Sequence, residues 1–262
     1  MARKRFGQHF LHERGVIDRI LAAVNADARD RMVEIGPGEG ALTDPLLERL
    51  DRLSVIEIDR DLAARWEARA AERDGLEVIA GDALKIDYGA LAERRAGPLR
   101  LVGNLPYNIS SPLLFALLKS TAPIIDMHFM LQKEVVDRMV AAPGSRDYGR
   151  LSVTIAARAE ASLLFDVGPG AFRPPPKVMS AVVRLVPRTP AYVIDDVRMF
   201  DRVVTAAFGQ RRKTLRNALK PFLDAEAIAA CGVEPVERAE QLAAADFARL
   251  ANAAARTMSD SD

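Results

Sequence analysis

Arg31-Met32-Val33-Glu34-Ile35-Gly36-Pro37-Gly38-Glu39-Gly40 is the stretch that decides the fold of this chain. Arg31 to Ile35 reads as a buried strand, and it runs straight into glycines at 36, 38 and 40. The next apolar residues, Leu42, Leu46, Leu47 and Leu50, fall at helical spacing. Small residues in such a strand-to-helix turn let backbone approach a ligand closely, and the N–H groups that open the helix face it. The stretch describes a nucleotide-binding corner.

Working outward, Val16, Ile17, Ile20, Leu21 and Val24 predict an amphipathic helix before the corner. After it come Leu53 to Ile58 as a second strand, a helix over Leu62 to Ala71 with Trp66 on its apolar side, and a third strand at Leu76 to Ala80. Leu99 to Val102 and Met127 to Leu131 are the fourth and fifth strands. Strands alternating with helices predict a parallel sheet whose ligands gather at the carboxyl ends of the strands. Glu57 ends the second strand about twenty residues beyond the first glycine, the spacing at which an acid meets ribose hydroxyls. Asp82, in Gly81-Asp82-Ala83-Leu84, is placed to bond the adenine amine of the same ligand.

The fourth strand ends in Gly103-Asn104-Leu105-Pro106-Tyr107. A residue before proline is pushed toward extended geometry, so Leu105 should present its carbonyl outward, and Pro106 adds no N–H donor. The side-chain oxygen of Asn104 is a second acceptor. Two acceptors aimed at one exocyclic amine, with Tyr107 as a stacking face, make a clamp for a base; such stacking is worth roughly 1–3 kcal/mol.

Downstream of a helix at Lys133 to Ala142, the residues Leu151–Ala157, Leu163–Val167 and Ala181–Val186 read as strands. Phe172-Arg-Pro-Pro-Pro-Lys-Val178 is a stiff loop, and Phe172 is expected to complete a sandwich around a base with Tyr107. Pro187-Arg-Thr-Pro190 marks a domain boundary, giving a first domain over 1–187, with a basic arm at 1–12, and a helical second domain over 188–262. Thr257 to Asp262 is expected to be a disordered tail. Within the second domain, Arg211 to Lys220 carries five positive charges and no acid. Arg211, Arg212, Lys213, Arg216 and Lys220 are therefore candidate phosphate contacts on a basic helix.

Composition narrows the field. The chain has 262 residues, 49% of them hydrophobic, and a formal net charge of +1, so overall charge names no partner. The single cysteine excludes an internal disulfide and a cysteine-based zinc site. His9 and His12 lack further ligands at suitable spacing, so no metal is expected. No apolar run reaches the length of a membrane span, and Arg3-Lys4-Arg5 leads into no signal-like apolar core, so a cytoplasmic protein is expected. Gly36, Gly38 and Ala41 also satisfy the dinucleotide fingerprint, which allows a nicotinamide-dependent dehydrogenase. Against that reading stands the neutral Asn-Leu-Pro-Tyr clamp, which a dehydrogenase has no need for at its cofactor crevice.

Phe6-Gly-Gln-His-Phe-Leu11, Glu34-Ile-Gly-Pro-Gly38, Gly81-Asp-Ala83, Gly103-Asn-Leu-Pro-Tyr-Asn-Ile-Ser110, Met130-Leu-Gln-Lys-Glu-Val135, Phe172-Arg-Pro-Pro-Pro-Lys-Val178 and Gln210-Arg-Arg-Lys213 together resemble the small-subunit ribosomal RNA adenine dimethyltransferases, the KsgA/RsmA family. The resemblance implies a Rossmann-like class I methyltransferase fold, with a mostly parallel seven-stranded sheet and a small all-helical C-terminal domain. It implies S-adenosyl-L-methionine as cofactor, and transfer of two methyl groups to N6 of each of two adjacent adenosines in a hairpin near the 3′ end of 16S rRNA, in immature 30S subunits. Carried onto this sequence, it assigns His9, Leu11, Gly36, Gly38, Glu57, Asp82, Ala83 and Asn104 to the cofactor. The catalytic set becomes Asn104, Leu105, Pro106, Tyr107 and Phe172. Many relatives have Asn where this chain has His9. Leu105 is characteristic of the rRNA dimethyltransferases, where the wider amino-methyltransferase signature has proline. A monomer is expected. Two alternatives stay open, an RNA-binding assembly factor with secondary methylation and a 23S rRNA resistance methyltransferase.

Overall fold

The computed structural model describes residues 8–209 and 213–259. Contacts divide the chain into two compact units, 1–136 with 162–187, and 137–161 with 188–262.

The first unit is built on a sheet. Its strands in chain order are β2 (Met32–Ile35), β3 (Leu53–Glu57), β4 (Leu76–Ala80), β5 (Leu99–Asn104), β6 (Ile124–Gln132), β7 (Ala159–Val167) and β9 (Ser180–Pro187). They lie in the order β4-β3-β2-β5-β6-β9-β7. The pairs β2–β3, β3–β4, β2–β5 and β5–β6 are parallel, and β9 runs antiparallel to β6. β2 is buried along its whole length, as a strand covered on both faces must be, and Glu34 is the one polar residue in it. From β2 the chain winds outward through β3 to β4, then returns to the other side of β2 as β5. This reversal puts the carboxyl ends of β2 and β5 side by side, at the position where open α/β sheets bind ligands.

Local sequence explains the flanking helices. In α1 (Arg14–Val24) the residues Val16, Ile17, Ile20, Leu21 and Val24 are all buried. Glu13 caps its start by accepting from Gly15 N and Val16 N, and Asn25, at φ 44°, ends it in left-handed geometry. α2 (Thr43–Leu47) is only one turn long, although apolar spacing continues to Leu50. α3 (Arg60–Ala71) is capped by Asp59 and buries Trp66, whose indole N–H donates to the Gly38 carbonyl at 3.1 Å. α4 (Tyr88–Arg94) and α5 (Ser110–Lys119) complete the crossovers. A separate two-stranded ribbon joins β1 (Phe10–Leu11) to β8 (Phe172–Arg173), pairing Phe10 with Arg173 and Leu11 with Phe172.

The second unit is helical. α7 (Arg150–Ala156), α8 (Val197–Gly209), α9 (Leu215–Ala218), α10 (Ala225–Ala230) and α11 (Ala244–Ser259) enclose a core that includes Phe200, Val203, Leu219, Ile228, Phe247 and Leu250. α6 (Lys133–Val140) begins in the first unit and ends in the second.

Three expectations change. Leu151–Ala157 is not a strand but most of α7. Its run of β-branched residues favours a strand by composition, yet Ser152, Val153, Thr154 and Ile155 are all buried, and Ser152 Oγ accepts from Gly149 N at 3.0 Å to start a helix. α7 accordingly falls in the unit of the C-terminal helices, whereas β7, from Ser162 on, falls in the unit of the sheet. The expected tail is helical through Ser259, because Ala251 and Ala254 still pack into the core just before it; residues 260–262 lie outside the described residues. The basic run is not one helix over its described part: α9 covers only Leu215–Ala218, with Leu215 and Leu219 buried and Arg216 and Lys220 exposed.

Candidate active site

A cavity of about 280 Å³ opens where the carboxyl ends of the strands converge. Gly36 and Gly38 border it beyond β2, Glu57 and Ile58 at the end of β3, Gly81 to Leu84 beyond β4, and Asn104 to Ile109 at the end of β5. Gln8, His9 and Phe10 of the arm close one side.

The turn after β2 needs glycine for two reasons. Gly36 and Gly38 sit at φ 72° and 55°, in the left-handed region, and a Cβ at Gly38 would lie 3.0 Å from the Phe10 ring. Glu57 is nearly buried; its Oε1 accepts from Asp59 N at 2.9 Å and its Oε2 from Gly38 N at 3.4 Å. Burial pushes its pKa above the ordinary carboxylate range, and these N–H donors pull the other way. Behind it, Glu34 is buried and accepts from Thr43 Oγ1 at 2.7 Å; burial pushes it up to about 8. Asp82 caps the short turn Ala83–Lys85 by accepting from Leu84 N at 3.0 Å with Oδ1, and its other oxygen has no partner among the described residues.

At the end of β5, Asn104 Nδ2 donates to the His9 carbonyl at 2.9 Å, which leaves Oδ1 as the free acceptor of that amide. Leu105 N donates to the Met130 carbonyl at 3.1 Å. The Pro106 carbonyl is taken by Ser110 Oγ and Ile109 N, while no backbone donor meets the Leu105 carbonyl among the described residues. The Tyr107 hydroxyl is 2.7 Å from Ser180 Oγ on β9, and burial raises its pKa.

The structure thus brings His9, Gly36, Gly38, Glu57, Asp82, Ala83, Asn104, Leu105, Pro106 and Tyr107 onto one cavity. Two expected residues are elsewhere. The Leu11 side chain is buried in the core, because side chains alternate along β1 and Phe10 takes the cavity side. Phe172 is 2% exposed and packs in the same core cluster as Leu11, so its ring is not the second wall of a base sandwich. Its size and its pairing with Leu11 favour burial. The ring that faces Tyr107 is instead that of His9, with centroids 5.7 Å apart and planes inclined by 32°. Lys213, Arg216 and Lys220 are exposed in the other unit and form no ion pair among the described residues; Arg211 and Arg212 lie outside those residues.

Sequence reading missed Ile58, Leu84 and Ser180. Ile58 looked like the last core residue of a strand, but β3 stops at Glu57, leaving Ile58 45% exposed beside the cavity. Leu84 is 38% exposed there too. Apolar side chains that line a cavity beside a few polar groups suit a flat ring.

A parallel sheet reversing beside β2, closed by an antiparallel β9, with a glycine corner and an acid at the ends of adjacent strands, defines a class I methyltransferase dependent on S-adenosyl-L-methionine. The pocket suits that cofactor, with close backbone at Gly36 and Gly38, carboxylates at Glu57 and Asp82, and apolar cover at Ile58 and Leu84. The chain belongs to the ribosomal RNA adenine dimethylase family, whose model matches residues 1–256. It is 59% identical over 252 residues to ribosomal RNA small subunit methyltransferase A of Xanthomonas axonopodis pv. citri, covering 96% of this chain and 95% of that one. The corresponding protein of Xanthomonas campestris pv. campestris is 58% identical over the same span. Among solved structures, a dimethyladenosine transferase from Plasmodium falciparum superposes with a TM-score of 0.77 at 26% identity, over 92% of this chain and 96% of that one. The 23S rRNA methyltransferase ErmE superposes with 0.71 at 25% identity, over 94% and 99%.

Proposed function

We propose that this chain transfers methyl groups from S-adenosyl-L-methionine to N6 of adenosines in small-subunit ribosomal RNA, two to each of two adjacent adenosines in the 3′-terminal hairpin of 16S rRNA within immature 30S subunits. The observation that carries the proposal is the continuity of one cavity from the glycine corner to Asn104–Tyr107. The near-full-length identity to small-subunit methyltransferases supports the choice of RNA.

The bound cofactor supplies an electrophilic sulfonium methyl. Gly36 and Gly38 admit its methionine portion, Glu57 accepts from ribose hydroxyls, and Asp82 and Ala83 meet the adenine edge. The protein's chemical task is then mostly placement. The Asn104 Oδ1 and the Leu105 carbonyl accept from the target amine, drawing its lone pair out of conjugation with the ring and fixing its direction. Tyr107 gives the everted base a stacking face, and Pro106 holds the Leu105 carbonyl outward. The methylated nitrogen is acidic enough to release its proton to these acceptors or to water, so no strong general base is needed. Arg211, Arg212, Lys213, Arg216 and Lys220 contact RNA phosphates. The protein acts as a monomer in the cytoplasm.

The ErmE superposition keeps a 23S rRNA substrate as the second reading, because the two folds share the catalytic unit. Labelled methyl transfer into 30S subunits lacking the modification, with 50S subunits in parallel and nucleoside analysis, separates the two. Dimethyladenosine confined to the 30S is the expected result. Label on the 50S supports the second reading, and tight 30S binding without label supports an assembly factor.

A further inference from the structure

We infer that His9 is a positioning residue for the base clamp, its backbone carbonyl fixing the Asn104 amide while its ring, held by Pro174, sets the plane of Tyr107. The inference rests on the clamp reading of Asn104 and Tyr107 given above.

The contacts that meet at His9 come from separate elements. An asparagine amide can exchange its oxygen and nitrogen by a half-turn, and with Nδ2 spent on the His9 carbonyl at 2.9 Å, Oδ1 is the atom that remains for an amine donor. His9 Nδ1 lies 2.8 Å from the Pro174 carbonyl. A carbonyl only accepts, so Nδ1 carries the proton and this tautomer locks the imidazole in place. The ring then rests 5.7 Å from Tyr107, whose hydroxyl is tied at its far end to Ser180. Tyr107 is therefore held twice, by its hydroxyl from β9 and by its face from the arm.

Neighbouring residues hold His9 itself. Phe10 packs on the Gly38 backbone, the β1–β8 ribbon fixes the direction of the arm, and His12 N donates to the Ala171 carbonyl at 2.9 Å. Asn104 and Tyr107 stand on β5 and just beyond it, yet both take part of their orientation from a docked N-terminal segment. An in-line attack is steeply sensitive to such orientation. His9 thus acts on the rate of transfer with cofactor already bound.

The test compares His9→Ala with His9→Phe in the full chain; phenylalanine keeps an aromatic face toward Tyr107 and gives up only the donor to Pro174. Single-turnover transfer into 30S subunits lacking the modification is measured at S-adenosyl-L-methionine concentrations that saturate each variant, as fixed from its cofactor Kd by calorimetry. His9→Ala is expected to slow transfer about tenfold at saturation, whatever its cofactor Kd, and His9→Phe to recover part of the rate. A defect that disappears as cofactor is raised would overturn the inference, leaving the arm a cofactor cover alone. An unchanged rate, a faster one, or no recovery with His9→Phe would overturn it equally. Tyr107→Ala, assayed alongside, tests the clamp itself. If Tyr107→Ala transfers normally the clamp reading fails, whereas a slow Tyr107→Ala beside an unaffected His9→Ala removes only the role given to His9.

Discussion

A Cβ on Gly103 would lie 2.5 Å from the Ile35 carbonyl oxygen, so β5 can approach the end of β2 only because residue 103 has no side chain. That approach brings Asn104 to the glycine corner. Gly103→Ala forces the two strand ends apart, and overpacking of this kind costs about 1–3 kcal/mol. Thermal denaturation should show the loss, and the cofactor Kd should rise with it, because Gly36 follows Ile35 directly. A variant with unchanged melting and affinity would mean that the strands separate freely. The identity of most cavity residues was legible in the sequence because glycines, an acid and an Asn-x-Pro stand at the ends of apolar runs. Phe172 was not, since a proline-rich loop says that a ring is held firmly but not whether it faces solvent or core.

At the scale of elements, the sheet strands were readable because burial on both faces writes itself as short, mostly apolar runs. α7 was misread because Leu151-Ser-Val-Thr-Ile155 favours a strand by composition, and only a contact distant in sequence decides otherwise. Ser152 Oγ accepts from Gly149 N and donates to the Arg138 carbonyl, tying the start of α7 to α6 within the second unit. Ser152→Ala leaves both backbone groups without that partner, and is expected to cost about 1–3 kcal/mol. Urea denaturation measures it; a change under a few tenths of a kcal/mol would show that the cap does not hold the helix. The arm was legible only in part. Its aromatic and basic residues announced a role, but alternation along β1 sends Phe10 to the cavity and Leu11 to the core, and the reach of His9 to Asn104 cannot be read from spacing.

At the scale of the whole molecule, two buried groups with opposed titrations shape stability against pH. His128, on β6, is 2% exposed with Nε2 unpartnered among the described residues, and burial pushes its pKa down to about 4 despite Asp126 nearby; Arg100 and Arg184 also disfavour its charge. Between about pH 6.5 and 4 the unfolded chain binds a proton there that the folded chain refuses, so stability falls as pH drops through that window. Glu34 runs the other way. Its folded pKa of about 8 exceeds the unfolded value of 4.5, so its contribution is full below 4.5 and is lost as pH rises toward 8. His128→Gln should therefore flatten the acid limb relative to the parent protein, by on the order of 3 kcal/mol across the window, and leave the alkaline limb unchanged. Glu34→Gln should flatten the alkaline limb. Denaturant titrations of parent and variants from pH 4 to 8 separate the two contributions, and parallel curves would contradict both.

The proposed division of labour within one cavity gives Gly36, Gly38, Glu57 and Asp82 to the cofactor and Asn104 to Tyr107 to the target base. The most direct measurement is single-turnover methyl transfer by Tyr107→Ala at saturating S-adenosyl-L-methionine, with the cofactor Kd determined on the same preparation. Transfer slowed at least about tenfold with cofactor affinity near that of the parent is the predicted result, in line with the ~1–3 kcal/mol carried by one base–aromatic stack. Loss of transfer and of cofactor affinity in equal measure would contradict it, and Tyr107 would then belong to the cofactor side of the cavity.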